Sequence, residues 1–277
     1  MVLTMLLLFG LYLVFGAVML AYFGNVLVVA LFVGGFSIVQ FLFSHRITLW
    51  SMGATTVDAE EYPDLHSTVE RLSRQADLPK PTVAVADSRV PNAFATGPTQ
   101  SKGVVCVTTG IMDTLDDDEL EGVIAHELAH IKNRDMAVMT IASLLSTIAF
   151  VVVRWGWLFG GRRNRGGGGV IVAILVSLVV WIVSYLLIRA LSRYREYAAD
   201  RGGARITGTP SALASALVTI DGSMDRVPEE DLREQSEMNA FFIIPIRTGL
   251  VGRLFSTHPP TEQRVERLRE LEREIET

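Results

Sequence analysis

The sequence predicts a mainly α protein with a small β-sheet, made of four transmembrane helices and a water-soluble domain. Three observations predict it. Mean hydropathy is +0.35, with 49% of the 277 residues hydrophobic and 20% charged, which is too apolar for an ordinary soluble protein. Residues 1–45, 136–153 and 170–188 contain no Asp, Glu, Lys or Arg, so all the charge falls in the rest, at a density normal for a water-facing surface. Those charged blocks mix helical periodicity with short runs rich in Val and Thr. Such a distribution excludes a disordered chain, a purely membrane-embedded protein and, with one cysteine, a disulfide scaffold.

A hydrocarbon core of about 30 Å is crossed by about 20 helical residues, so residues 1–45 accommodate two spans, with a break expected at Gly24-Asn25. Residues 136–153 and 170–188 supply a third and a fourth, with Trp155, Trp157 and Tyr194 placed for the interfaces. The first span lacks a basic segment ahead of it and runs straight into the second, unlike a cleavable signal. The resulting division is 1–45, two N-terminal spans; 46–135, the first half of the soluble domain; 136–188, a transmembrane hairpin; and 189–277, the second half.

Four spans put both soluble halves on one side. Seven cations near span ends lie there (Arg46, Lys132, Arg134, Arg189, Arg193, Arg195, Arg201), against four opposite (Arg154, Arg162, Arg163, Arg165), which favours a cytoplasmic domain on a multi-pass cell-membrane protein. The tract GGRRNRGGGG between spans reads as a flexible loop. Cys106, in the apolar run GVVCVTT, reads as a buried strand residue in a reducing compartment. A net charge of −5 gives no basic face for nucleic acid.

In the first soluble half, Leu65, Val69, Leu72 and Ala76 recur at helical spacing and Pro79 and Pro81 end the pattern. The runs TVAVADS, NAFATG and GVVCVTTG follow as strands, then Asp116, Asp117, Asp118 and Glu119 mark an acidic helix start. The second half reads as helical through SRYREYAADRGG and PSALASALVTID. It ends in a charged helix with Val265, Leu268, Leu271 and Ile275 on one face.

The chemistry lies in His126-Glu127-Leu128-Ala129-His130, an H-E-x-x-H pattern. At 3.6 residues per turn, His126 and His130 share a helix face and can ligate one zinc ion, while Glu127 projects beside it toward the water the ion activates. A catalytic zinc needs a third protein ligand and an open position. If the helices on both sides of the hairpin continue unbroken, His130 stands about 9 Å and Glu196 about 12 Å beyond the spans, so Glu196 meets the histidines at matching height. Asp200, one helical turn after Glu196, is placed to accept a hydrogen bond from a zinc-bound histidine.

Together, HELAHIKNRD, SRYREYAAD and STHPPTEQR resemble the HtpX-type membrane zinc metalloproteases, relatives of the CAAX prenyl proteases, over most of the chain and in the expected order. The resemblance implies a zincin-like metalloprotease domain, one Zn2+ per chain held by His126, His130 and Glu196, and Glu127 as general base. It also implies that His258 and Arg264 stabilise the oxyanion or position substrate. From the residues alone, His258 reads as a loop residue and Arg264 as a helix-surface charge. PNAFATG resembles the family's substrate-lining strand, whose edge would bind an extended peptide by strand addition through Asn92, Ala93 and Phe94. Asn92 reads equally as a turn residue after Pro91.

The expected reaction is hydrolysis by water activated between zinc and Glu127, with His258 sharing the oxyanion and no acyl-enzyme. A site about 10 Å above the spans suggests membrane proteins or unfolded polypeptides as substrates and the bilayer as partner. Protein quality control under stress is what the resemblance implies. Three alternatives are weighed. A CAAX-type prenyl protease resembles a longer chain with more spans. A protease cutting within the bilayer would carry the motif in an apolar span, whereas DDDELEG and KNRD flank it here. A non-catalytic scaffold with a structural zinc would tolerate loss of Glu127, which is present.

Overall fold

In the computed structural model, residues 6, 7, 10, 11, 26–159, 168–224, 227, 243–244 and 258–275 are described. The protein is mainly helical with one small mixed sheet. Its contacts divide it into two units, residues 1–42 with 137–192 and residues 43–136 with 193–277.

The first unit is built from long apolar helices: most of α1 (Val26–Ser51) and parts of α5 (Asp135–Phe159) and α6 (Gly168–Thr207). Within it Ala142 and Leu191 are buried, with Val138, Met139, Leu187 and Ile188 packed against them. On α6, Ser177, Val180 and Ser184 face inward at helical spacing, while Ile171, Leu175, Val179, Ile182 and Leu186 form an exposed apolar stripe. Serines inward and a wholly apolar stripe outward is the distribution expected when the surrounding solvent is lipid. Among the described residues, one helix, Ile174–Thr207, is long and apolar enough to cross a membrane. The expected break at Gly24-Asn25 lies outside the described residues, as does the basic core of GGRRNRGGGG.

In the second unit the sheet has the order β1-β2-β4-β3. Strand β1 (Ala54–Thr56) runs antiparallel to β2 (Thr82–Ala86), β2 parallel to β4 (Val104–Thr108), and β3 (Ala93–Thr96) antiparallel to β4, with Phe94 opposite Cys106. The β3 strand is therefore an edge. Three strands match the Val and Thr runs of the sequence. The short polar β1 has no periodic signal to betray it.

Helix α2 (Pro63–Gln75) buries Leu65, Val69 and Leu72, and Ala76 after it is buried too. A short helix of six residues, α3 (Thr109–Thr114), follows β4, capped by the Thr108 hydroxyl accepting from the Ile111 N–H at 3.1 Å. Helix α4 (Asp117–Lys132) begins in a capping box: Asp116 Oδ1 accepts from Glu119 N–H at 2.8 Å and Glu119 Oε2 from Asp116 N–H at 3.3 Å. Glu119 also receives Ser215 and Thr219 hydroxyls at 2.6 and 2.8 Å, so one carboxylate caps α4 and staples it to α7 (Pro210–Met224). Helix α4 packs on β3, α2 and α7, and α7 packs on α8 (Thr261–Ile275). On α8 Val265 and Leu268 are buried and Leu271 partly so. Ile275, in the last turn, is exposed, so the apolar face closes one turn earlier than its spacing suggests.

One expectation about continuity holds and its partner fails. Helix α6 runs unbroken through Glu196. On the other side α4 ends at Lys132, Arg134 takes a left-handed backbone (φ 56°), and α5 starts afresh at Asp135. The unbroken helix from His130 into the third apolar segment is therefore corrected to two helices separated at Asn133 and Arg134.

Candidate metal centre and active site

His126 and His130 lie on one face of α4, as an i, i+4 pair must. Their rings stand edge to face with Nε2 atoms 3.1 Å apart. Glu196, from α6, brings Oε2 to 3.7 Å from His126 Nε2 and Oε1 to 3.6 Å from His130 Nε2. Two adjacent glycines let the helices approach this closely. A Cβ on Gly203 would sit 2.8 Å from the His126 backbone nitrogen, and one on Gly202 would sit 2.7 Å from Ala129 Cβ.

The opposite nitrogen of each ring faces a carboxylate. His126 Nδ1 lies 3.0 Å from Asp200 Oδ1, and His130 Nδ1 lies 2.5 Å from Asp135 Oδ2. An imidazole that donates its Nδ1–H to a carboxylate turns an Nε2 lone pair outward. Two such lone pairs and a carboxylate then converge within 4.8 Å. Ligand atoms at about 2.0–2.2 Å from a tetrahedral ion are about 3.3–3.5 Å from one another, close to the separations found. The residues fit a metal ion. The electrostatics agree: burial disfavours a charged His126, yet Asp200 and Glu196 outweigh it and push its pKa up to about 9, so the pocket attracts positive charge.

Glu127, one residue on, is buried. Desolvation raises its pKa above the ordinary carboxylate value, opposed by the two imidazoles and by the Ala95 N–H and assisted by Glu196. The Ala95 contact ties this carboxylate to edge strand β3.

His258, just ahead of α8, is brought to the cluster with Nδ1 3.1 Å from Glu196 Oε2. Arg264 is not the surface charge its position in a charged helix suggests, being 2% exposed. Its Nε and Nη2 donate to Asp200 Oδ2 and Oδ1 at 3.0 and 2.7 Å, and its Nη1 donates to the Ile243 carbonyl at 2.9 Å. Asp200 holds the guanidinium charged despite burial, pushing its pKa above the usual value.

Asn92 is fully buried and its Oδ1 accepts from the Ile243 N–H at 3.0 Å. Ala93 and Phe94 also point their side chains into the core, so what β3 presents at its edge is main chain. Three further residues take part without a motif that marks them. Asp135 stood in plain view as the last residue of HELAHIKNRD, Gly203 passed as an ordinary helical residue, and Ile243 carries no chemical signal at all because it contributes a peptide group.

With this geometry in place, comparison with known proteins identifies the relatives. The model of peptidase family M48 matches residues 59–272. The chain belongs to peptidase family M48. The M48 chain is 53% identical over 279 residues to Protease HtpX homolog 2 of Methanosarcina mazei, covering 99% of this chain and 95% of that protein. It is 53% identical over 286 residues to Protease HtpX homolog of Moorella thermoacetica, covering 100% and 94%. Among solved structures it is similar to Ste24p of S. mikatae, with a TM-score of 0.57 and 19% identity over 94% of this chain. That likeness concerns the fold, and the M48 chain spans 62% of the longer Ste24p chain.

Proposed function

We propose that this M48 chain is an integral membrane zinc metalloendopeptidase that hydrolyses peptide bonds of membrane or misfolded proteins at the cytoplasmic membrane face. One observation carries the reading: two Nε2 atoms and the Glu196 carboxylate converge, with each imidazole's other nitrogen facing a carboxylate at 3.0 and 2.5 Å. His126, His130 and Glu196 would hold the ion. Bound there, zinc supplies Lewis acidity, polarising the scissile carbonyl and acidifying water.

Glu127 takes the proton of the attacking water on its carboxylate and passes it to the leaving amine. A carboxyl raised by burial serves both directions, being basic enough to accept and acidic enough to release. His258 is assigned to the developing oxyanion, since it stands at the cluster beside Glu196. Arg264 has both ends of its guanidinium engaged and is assigned to holding Asp200 and His126, whose Nε2 its Nη2 approaches to 3.4 Å. An extended peptide is received by the main chain of β3, whose Ala95 N–H already reaches Glu127.

The four-span topology, one zinc per chain and a role in quality control belong to the same proposal. It is supported by the apolar segments and by the relatives called Protease HtpX homolog. The test is zinc content and peptide cleavage by purified protein. Glu127→Ala should keep zinc and lose cleavage by at least two orders of magnitude, while Glu196→Ala should lose zinc. Full zinc-dependent cleavage by Glu127→Ala would sink the mechanism.

A further inference from the structure

Behind the two imidazoles stand two carboxylates, each backed by an arginine. The His126, Asp200 and Arg264 chain belongs to the proposed mechanism; the second chain, His130, Asp135 and Arg195, has no assigned role. We propose that Asp135 and Arg195 form a positioning pair that orients His130 and sets its spacing from Glu196, making the joint between α4 and α5 part of the metal site. This inference rests on the zinc reading.

The joint itself is the first argument. Asp135 follows His130 by five residues, and at about 100° per residue an unbroken helix would place it some 140° around the axis, out of reach of the ring. The non-glycine residue Arg134 instead adopts φ 56°, a left-handed conformation that L side chains disfavour. The turn it makes brings Asp135 back to His130 Nδ1 at 2.5 Å, with the Asp135 side chain only 7% exposed.

The second argument is where Arg195 sits. It lies on α6 immediately before Glu196, and its Nε stands 3.2 Å from Asp135 Oδ1. One carboxylate therefore bridges the imidazole of one ligand and the helix carrying another. An acidic residue in the first turn of α5 would favour the helix dipole anywhere on its circumference. Its turning back to the ring is what a helix-start role leaves unexplained.

The experiment is a chelator-competition titration of zinc on the full-length chain in detergent, paired with visible spectra of the cobalt-substituted protein. Asp135→Ala should weaken zinc binding about 10–100-fold and alter the cobalt bands. Asp135→Asn should fall between it and wild type, Asp135→Glu should recover part of the loss, and Arg195→Gln added to Asp135→Ala should weaken binding little further. Glu121→Ala, which removes the distant pair with Arg71 at 2.9 Å, should leave zinc affinity unchanged. An affinity for Asp135→Ala within twofold of wild type, or unaltered cobalt bands, overturns the proposal. Should that variant fail to accumulate, Asp135→Asn and Arg195→Gln decide, and wild-type affinity in both overturns it. Wild type that binds neither zinc nor cobalt overturns the zinc reading instead.

Discussion

Arg264 and Asn92 show how much a single side chain here depends on its partners. The main chain of Ile243 is held on both sides of its Cα, its N–H by Asn92 Oδ1 and its carbonyl by Arg264 Nη1. Arg264 continues to Asp200, and Asp200 to His126. An uninterrupted chain of polar contacts thus joins a metal-ligand candidate to the root of edge strand β3. Removing the guanidinium leaves the buried Asp200 without its main counter-charge, a kind of change that costs about 3–5 kcal/mol. We expect Arg264→Met to lower unfolding free energy by that order. Arg264→Lys should recover only part, because an ammonium cannot reproduce the two-pronged contact. Denaturant unfolding in detergent measures it, and a loss below about 1 kcal/mol for Arg264→Met would show that Asp200 does not depend on Arg264.

Among the elements, α4 carries the motif and α6 brings the third ligand candidate to it. Their closeness is set by Gly202 and Gly203, where any side chain meets α4: a methyl on Gly203 would press on the backbone at His126, which cannot yield as a side-chain tip would. Gly203→Ala should therefore shift α6 and pull Glu196 off the two imidazoles. We expect zinc affinity to fall at least tenfold with a modest loss in melting temperature, read by chelator competition and thermal unfolding. Unchanged affinity would mean that the helices can part without moving the ligands. Elsewhere, local pattern and packing agree. The acidic start of α4 is a capping box, and the apolar spacing of α2 is the spacing of its buried face.

At the scale of the molecule, Cys106 reports on the whole of the second unit, residues 43–136 with 193–277. It is fully buried in β4, and burial, with Glu127 adding to it, pushes the thiol up to about 12. Unfolded, the thiol ionises near 8.5–9. The fold therefore keeps the contribution of the neutral thiol below that range and loses it as pH rises toward 12, by about 1.4 kcal/mol per pH unit. We expect Cys106→Ala to flatten the alkaline decline in stability. The native protein should also resist thiol alkylation at pH 8 until denaturant unfolds it, and rapid labelling without denaturant would contradict the burial. Periodicity and composition made most of the helices, three of the four described strands and the H-E-x-x-H face legible, because each follows from residues within a turn or two of one another; α3, which begins at Thr109 inside a run that reads as strand, was not legible. Glu196 was legible through its height beyond the fourth apolar segment, and Asp200 through its spacing of one helical turn from Glu196. The joint at Arg134, the return of Asp135 to His130, the packing of Gly203 on α4 and the Ile243 clamp were not. Each depends on which backbones come within a few ångströms of each other, and only the tertiary structure decides that. The sequence by itself determined the candidate donors of a metal site and the apolar segments beside them; the fold decided how those candidates are aimed, since orientation is a property of contacts between distant parts of the chain.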